Sequence, residues 1–231
     1  MPATQFKPLY LFADSQLLFW KQRGRLLLET AIGSAGVAPC AAYIGASNGD
    51  RREFYAIFEA AMETIGITDH RMIDSSFNPD DRAFLERAQL IVLAGGEVRL
   101  GWTTFEKTGM KDVILKRYAQ GAVLVGVSAG AVQLGRHAIL ETPESSVTEL
   151  SNVFNLVPAI VDVRDERNDW VRLTNTIHLL EGAVIGLGLP AGGGVILHPD
   201  ATIEPLRRPT HEFRFNGTRV IHSLLCPAED G

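Results

Sequence analysis

The stretch VLVGVSAGAV, residues 123–132, carries a serine between small residues at the end of an apolar run. Gly126, Ser128 and Gly130 match the pattern G-x-S-x-G, in which the serine occupies a sharp turn between a strand and a helix. Only small flanking side chains permit this turn, which exposes the hydroxyl and directs the start of the helix toward developing negative charge. The pattern predicts that Ser128 is a nucleophile for acyl chemistry, with a buried turn and a chance serine as the alternative.

A second match to the same pattern consists of Gly45, Ser47 and Gly49, again between a strand-like and a helix-like stretch. The polar residues around it favour a looser loop, in which Asn48 or Asp50 caps the following helix. We therefore expect this serine to belong to a capping loop rather than to act as the nucleophile.

Two glycines end the buried run in VLAGGEVRL, residues 92–100. At such a strand end, the backbone N–H groups around Gly95 and Gly96 can point into a site, which is one way to build an oxyanion hole. A plain tight turn is the alternative.

A cofactor or metal site is not predicted. Gly186, Gly188 and Ala191 fit the dinucleotide pattern G-x-G-x-x-A, but Pro190 and a strand-like run follow where that pattern requires a helix. The six histidines are dispersed, and the two cysteines lack metal-ligand spacing.

The elements that must position these residues alternate between short apolar runs and longer amphipathic ones. Strands are predicted in PLYLFA, CAAYIG, RMID, QLIVLAGG and AVLVGVS. Helices are predicted for SQLLFWKQRGRLLLETAIGSAG, ending at Gly36, and for WTTFEKTGMKDVILKRYAQG. A further helix, NGDRREFYAIFEAAMETIGI, presents on one face Phe54, Ile57, Phe58, Ala61, Met62 and Ile65.

This alternation predicts an α/β fold, a three-layer sandwich around a mostly parallel sheet. Functional groups are then expected at the carboxyl ends of the strands. Two strand-like stretches in the last third, GGGVILHPDATIEPL and HEFRFNGTRVIHSLL, predict a C-terminal antiparallel extension.

The composition is ordinary for one globular domain spanning residues 1–231, with 46% hydrophobic and 21% charged residues. A formal net charge of −5 with scattered basic residues argues against nucleic-acid binding. No apolar stretch approaches the ~20 residues of a membrane helix, and the first residues lack the pattern of a signal peptide. We expect a cytoplasmic protein without nucleic-acid or membrane partners, and a homodimer as the default assembly.

Four segments, in this order and spacing, carry a family resemblance: YIGASNGD, IVLAGGEVRLGW, LVGVSAGAV and NVFNLVPAIVD. From about residue 8 to residue 200 the chain resembles the cyanophycinase and dipeptidase E family of serine peptidases, within the class I glutamine-amidotransferase-like superfamily. The resemblance implies a flavodoxin-like sandwich, Ser128 as nucleophile, and an oxyanion hole formed by Gly96 and the amide of Ala129. It further implies hydrolysis of peptide bonds next to aspartyl groups, without metal or cofactor.

The sequence departs from the family at two positions. The family histidine, two residues past an Asp or Asn, falls on Arg164, with Asp162 before it. Arginine cannot accept a proton at any working pH. The cyanophycinase-type glutamine falls on Val98, which follows Glu97 in the Gly-Gly segment; both are candidate substrate-binding residues.

The remaining catalytic roles stay open. The family acid lies between the serine and the histidine, so Glu141 or Glu144 is a candidate, with solvated loop carboxylates as the alternative. His178 and His198 are candidate replacement bases, because proximity in space decides that role. Ordinary surface or capping histidines are the alternative.

Arg164 has a candidate role of its own. Together with Arg167 and Arg172 it could hold a substrate carboxylate by a two-pronged contact. The alternative is an ion pair with one of three nearby acids, namely Asp162, Asp165 and Glu166.

Two functions follow from these residues. The first is a serine hydrolase that cleaves an amide or peptide bond of a small, aspartyl-type substrate with a nonstandard base. The second is a catalytically weak or inactive relative that binds a small acidic or peptidic ligand, with Arg164 as anchor. A glutamine amidotransferase ranks third, because the elbow carries serine where glutaminase chemistry uses cysteine.

Overall fold

The computed structural model describes residues 6–33, 39–142 and 145–228. Numbered in chain order, the strands are β1 (Leu9–Phe12), β2 (Lys21–Gln22), β3 (Arg25–Leu26), β4 (Cys40–Ile44), β5 (Asp69–Ile73), β6 (Leu90–Leu93), β7 (Val123–Val127), β8 (His137–Thr142), β9 (Ser145–Asn152), β10 (Ala159–Val163), β11 (Ile185–Leu189), β12 (Gly194–Leu197), β13 (Ile203–Leu206), β14 (Thr210–Phe215) and β15 (Val220–Leu225). The α-helices are α1 (Leu27–Ile32), α2 (Arg52–Thr64), α3 (Pro79–Leu85), α4 (Val98–Thr108), α5 (Met110–Ala119), α6 (Ala129–Leu134) and α7 (Val171–Leu179).

The central sheet has seven strands in the order β13-β12-β1-β7-β6-β4-β5. Strands β1, β7, β6, β4 and β5 are parallel to one another, whereas β12 is antiparallel to β1 and β13 is antiparallel to β12. The apolar runs predicted as strands form this parallel core, because a strand covered on both faces needs no polar side.

Helices cover both faces of the sheet. Along β1, Leu9 and Leu11 face a core shared with α3, α4, α5 and α6, and Tyr10 and Phe12 face a core shared with α1 and α2. The alternation of side chains along a strand distributes one apolar run between two cores. The predicted three-layer α/β sandwich with a mostly parallel sheet is confirmed.

The last third of the chain divides between two sheets. The stretch GGGVILHPDATIEPL forms β12 and β13 at the edge of the central sheet. The stretch HEFRFNGTRVIHSLL forms the hairpin β14–β15, which joins β10 and β11 in a second sheet of order β10-β11-β14-β15. The predicted C-terminal antiparallel extension is therefore confirmed, although its two halves belong to different sheets.

Two of the predicted helices are interrupted. In place of one helix after residue 14, the chain forms a 3-10 turn at Ser15–Phe19, the small hairpin β2–β3 and the short helix α1. Positive φ angles at Arg23 and Gly24, 50° and 77°, turn the backbone at the hairpin. The predicted stop at Gly36 lies outside the described residues. The second predicted helix is divided into α4 and α5 at Gly109, whose φ of 74° is left-handed.

The carboxyl ends of the parallel strands gather the polar candidates on one edge of the sheet. Ser128 follows β7, and the Gly95–Gly96 pair follows β6. Ser47 lies just beyond β4, and Arg164 comes to the same edge at the end of β10. Among the described residues, no helix is long and apolar enough to cross a membrane.

Replacing Gly130 with alanine tests the packing that supports this edge. A Cβ atom at Gly130 would lie 2.3 Å from the carbonyl oxygen of Leu93, so α6 would have to move away from β6. We expect the free energy of unfolding to fall by about 3 kcal/mol, measured by urea denaturation. Lys107→Ala, at an exposed position of α4, is the control and should change stability by less than about 0.5 kcal/mol. Equal midpoints for both variants would contradict the close approach.

Candidate active site

Ser128 stands on a strained turn between β7 and α6. Its φ of 52° and ψ of −111° lie outside the regions that a serine usually occupies. The turn is held by a hydrogen bond from the Ser128 N–H to the Phe12 carbonyl, 2.8 Å long, and by two further bonds from α6 to the Ser128 carbonyl. Strain of this kind costs about 1–3 kcal/mol and concentrates at functional sites. The backbone at Ser128 therefore makes the predicted sharp turn, whereas the residue itself is buried, with 8% of its surface exposed. Its role as nucleophile stays a prediction.

The double-glycine loop lies directly beside the serine. A Cβ atom at Gly95 would be 3.1 Å from the Ser128 Cβ, and both Gly96 and Ser128 line the same two cavities. Within the described residues, the N–H of Gly96 makes no backbone hydrogen bond. The N–H of Ala129, as the first of α6, has no acceptor inside the helix. Both N–H groups thus belong to residues that line a cavity with Ser128, and their oxyanion role stays a prediction.

Ser47, the serine of the second G-x-S-x-G match, packs against the double-glycine loop. Its carbonyl accepts the Glu97 N–H at 2.7 Å, and a Cβ atom at Gly96, whose φ is 139°, would lie 2.1 Å from the same oxygen. Its hydroxyl is buried and accepts a hydrogen bond from Gln133 Nε2 at 3.1 Å. Asn48 Oδ1 accepts the N–H of Arg51, the residue before α2, and no side chain caps the helix itself, so the predicted capping by Asn48 or Asp50 is wrong. The second G-x-S-x-G match is therefore structural.

Arg164 occupies the place next to the serine. Its backbone is also left-handed, with φ of 56°, and its N–H donates to the Leu189 carbonyl. From there Arg164 Nη2 donates a hydrogen bond to Ser128 Oγ across 3.0 Å. Sequence reasoning named Arg164 but did not foresee that its guanidinium would reach the serine. The contact places a permanent cation on the hydroxyl.

The ion pair anticipated for Arg164 is made by Arg172 instead. Arg172 Nε donates to Asp162 Oδ2 at 2.7 Å, and the same nitrogen is 3.7 Å from Asp165 Oδ2. Asp162 is buried, so its charge needs this partner. In the described parts of the chain, no carboxylate pairs with Arg164. The alternative predicted for Arg164, an ion pair with Asp162, Asp165 or Glu166, is therefore wrong. Arg172 is the arginine that pairs with the buried Asp162.

The two histidines considered as replacement bases lie far from the serine. Leu197 pairs with the first residue of β1, so His198 is at the amino end of the sheet and bonds Glu204 there. Five residue levels of about 3.3 Å along the strands and two strand spacings of about 4.8 Å across the sheet place it roughly 19 Å from Ser128. His178 packs on Phe215, beyond the amino end of β10, whereas Arg164 follows its carboxyl end. None of the six histidines lines a cavity that contains Ser128.

The other predicted site residues divide into three groups. Glu97, Val98 and Asp162 line a cavity that also contains Ser128, although Asp162 is engaged by Arg172. Arg167 is exposed and lines neither cavity at the serine. Glu141 belongs to β8, with a side chain outside the description, and Glu144 lies outside the described residues. The predicted acid role thus stays a prediction.

Two cavities meet at Ser128, Gly96 and Arg164. One, of about 290 Å³, has walls of apolar side chains from β4, α2 and the turn after β1. The other, of about 310 Å³, is bordered by charged side chains, among them Arg99, Arg172 and Asp162. Across residues 6–33, 39–142 and 145–228, no group of three or more His, Cys, Asp or Glu side chains is arranged to hold a metal ion. The site offers hydrogen-bond donors and an apolar wall.

Comparisons with known proteins agree with this architecture. The family model described as Peptidase family S51 matches residues 34–192. A crystal structure of a peptidase from an acI-B1 Actinobacterium is similar with a TM-score of 0.73 and 15% identity, covering 98% of this chain and 96% of that one. A putative peptidase E protein from Listeria monocytogenes EGD-e gives 0.61 and 18%, covering 95% and 99%. At such identities the two structures show the fold alone, and no curated protein matches the sequence.

Gly96→Ala tests whether the loop is held against Ser47. The new Cβ would collide with the Ser47 carbonyl, so the free energy of unfolding should fall by about 2–4 kcal/mol. Gly49→Ala is the control: its φ of 70° is also positive but lies in the left-handed helical region, which is less costly for alanine, and a Cβ there meets nothing within 4 Å. We expect that control to lose only about 1 kcal/mol in urea denaturation. Equal losses in the two variants would contradict the contact.

Proposed function

Because the chain belongs to peptidase family S51, we propose that it is a family member that binds a small carboxylate at Ser128 and hydrolyses peptides slowly or not at all. The observation that carries this proposal is the hydrogen bond from Arg164 Nη2 to Ser128 Oγ, 3.0 Å long. The proposal takes up the second of the two functions inferred from the sequence.

Ser128 needs a neighbouring group that accepts its proton before it can attack a peptide bond. A serine attacks a peptide bond efficiently only when a neighbouring base, about 2.6–3.2 Å away, accepts its proton. At that distance Ser128 has a guanidinium, which carries five N–H donors and no acceptor. Loss of the base of a catalytic triad lowers the rate by about 10⁴ to 10⁶. Arg164 therefore supports an inactive or very slow peptidase.

The donors around the Ser128 hydroxyl favour the binding of an anion. The guanidinium of Arg164 and the N–H groups of Gly96 and Ala129 border one space beside the hydroxyl. These donors favour an anion, and a carboxylate with two oxygens matches a guanidinium in a fork. Two carboxylates, Glu97 and Asp162, line the same cavity, and Asp162 is engaged by Arg172. A carboxylate is also the group that peptide hydrolysis releases, so a product-like ligand suits a site of this family.

A slow serine hydrolase is the second candidate, favoured by the strained backbone that Ser128 retains. A guanidinium can stabilise a serine alkoxide once it forms, so activated esters could acylate Ser128 without an efficient base. The preference for aspartyl substrates that the resemblance implies belongs to this candidate. The position of the cyanophycinase-type glutamine is occupied by the apolar Val98 in this chain.

A fluorophosphonate probe distinguishes the two candidates. We expect the wild-type protein to gain no adduct mass at pH 8, whereas Arg164→His should react at least about 100-fold faster, because general-base assistance contributes about 10² to 10⁴. Intact-protein mass spectrometry measures the adduct. The double variant Arg164→His/Ser128→Ala is the control and should not react. A wild-type adduct at Ser128 that forms as fast as in Arg164→His would favour the hydrolase.

Titration with three carboxylates tests the binding itself. Acetate, succinate and 3-phenylpropanoate are added to the ¹⁵N-labelled full chain, and amide shifts give the dissociation constants. We expect at least one of them to bind, and Arg164→Gln to weaken the tightest by about 10- to 100-fold, the loss of a charge-assisted hydrogen bond. Arg167→Gln, an exposed arginine outside both cavities, is the matched control and should bind as the wild type does. Absence of binding by all three would contradict the proposal.

A further inference from the structure

The apolar cavity beside Ser128 and Arg164 has no part in the chemistry described so far. It is walled by Leu18, Tyr43, Phe54, Ile57, Phe58 and Val92, and it opens at Gly96, Ser128 and Arg164. We propose that it receives the apolar group of the ligand, so that the ligand class is a monocarboxylate with one aromatic or branched apolar substituent. This inference rests on the proposed carboxylate binding at Arg164 and adds the identity of the substituent.

The arrangement of α2 gives the first argument. The sequence pattern placed Phe54 with Ile57 and Phe58 on the buried face of this helix. In the structure Phe58 is fully buried, Ile57 is half-buried, and Phe54 stays 41% exposed at the cavity. An aromatic ring left open beside an apolar hollow gains free energy when an apolar ligand covers it. The ring is partly covered by Arg51, whose guanidinium carbon lies 5.2 Å from the ring centroid. The remaining exposed part of Phe54 is apolar surface beside the cavity.

The charges around the cavity give the second argument. Among its lining residues the ionisable groups are Asp14, Tyr43 and Arg164. The two oxygens of Asp14 accept the N–H groups of Gln16 and Gly192. Burial raises the pKa of the Tyr43 phenol, so its ring stays neutral near pH 7. Arg164 is then the cation that a ligand meets, and one carboxylate satisfies it.

A second acidic group on the ligand would find no partner here. In the neighbouring polar cavity Arg99 already pairs with Glu149, and Arg172 with the buried Asp162. Inside the apolar cavity a second carboxylate would lose its water without gaining a counter-charge, which is costly. The charges therefore favour a monocarboxylate over a dicarboxylate such as succinate.

The size of the cavity limits the substituent. At about 30 Å³ per water-sized group, a volume of about 290 Å³ holds on the order of ten non-hydrogen atoms. A phenyl ring on a short chain, or a branched aliphatic chain, is of that size. A polypeptide side chain of this kind next to a terminal carboxylate would fit as well as a free acid.

The carboxylate series tests this inference on the full-length wild-type chain. We expect 3-phenylpropanoate to bind at least about tenfold more tightly than acetate or succinate, the gain from covering the ring and several methylene groups. The uncharged analogue 3-phenylpropan-1-ol should bind at least about tenfold more weakly than 3-phenylpropanoate, since it lacks the anion for Arg164.

Two matched variants locate the substituent. Phe54→Ala should weaken 3-phenylpropanoate by about 3- to 10-fold and leave acetate unchanged, because only the substituent meets this ring. Phe19→Ala is the control: Phe19 is 40% exposed, much as Phe54 is, but does not line the cavity. Both positions are at the surface, so both variants are expected to fold, which circular dichroism verifies. Equal affinities of Phe54→Ala and wild type for 3-phenylpropanoate would overturn the inference.

The outcomes separate this inference from the function on which it rests. Binding of acetate or succinate as tightly as 3-phenylpropanoate, with loss in Arg164→Gln, would overturn the apolar substituent and leave carboxylate binding intact. Equal binding of the alcohol and the acid, or no binding by any carboxylate, would overturn the proposed function and the inference with it.

Discussion

The sharp reversal of the chain at Ser128 is the constraint on which the site depends. The chain can pass from β7 into α6 within one residue only because glycines stand on both sides of the serine. A Cβ atom at Gly126 would lie 2.5 Å from the Gly130 carbonyl, and one at Gly130 would lie 2.3 Å from Leu93. The close backbone approach at these two glycines packs α6 against β6 and β7. The loop that follows β6 is consequently placed next to the hydroxyl, and the left-handed backbone at Ser128 is held there by packing.

Around this fixed hydroxyl, the residue at position 164 decides what the site can do. A histidine at the end of β10 would accept a proton from the serine, whereas Arg164 donates one of its own hydrogen bonds to it. The nearby Asp162 is paired with Arg172. The guanidinium of Arg164 can therefore donate to Ser128 instead of pairing with this acid. With arginine at this position, a donor without an acceptor meets the serine, which suits the anion binding that we propose.

Family membership and activity are therefore separate conclusions for this chain. The match to peptidase family S51 covers residues 34–192, and the similar solved structures share the fold over nearly the whole chain. A fold accommodates different functions through the few residues of its site. In this protein the strained turn at Ser128 and the double-glycine loop lie side by side, and Arg164 and an apolar cavity border them.

Much of the frame could be predicted because it depends on local patterns. The apolar runs predicted the parallel strands, and the small residues around Ser128 predicted the elbow, since both follow from neighbours in sequence. Prediction failed for residues 15–33, which do not form one helix, because the chain turns at Arg23 and Gly24 to make a hairpin. The spacing of apolar residues does not reveal such a turn when the same spacing also fits a helix.

The roles of individual polar groups were open until the strands were assembled. They include the pairing of Arg172 with Asp162, the contact of Ser47 with the glycine loop, and the partial exposure of Phe54. Each depends on how residues 10 or more positions apart in the chain are packed. The sequence alone determined that position 164 holds a side chain unable to accept a proton, because that is a property of arginine itself. Only the tertiary structure decided that this side chain meets Ser128, because a 3.0 Å contact between residues 36 positions apart exists only once β7 and β10 end at the same edge.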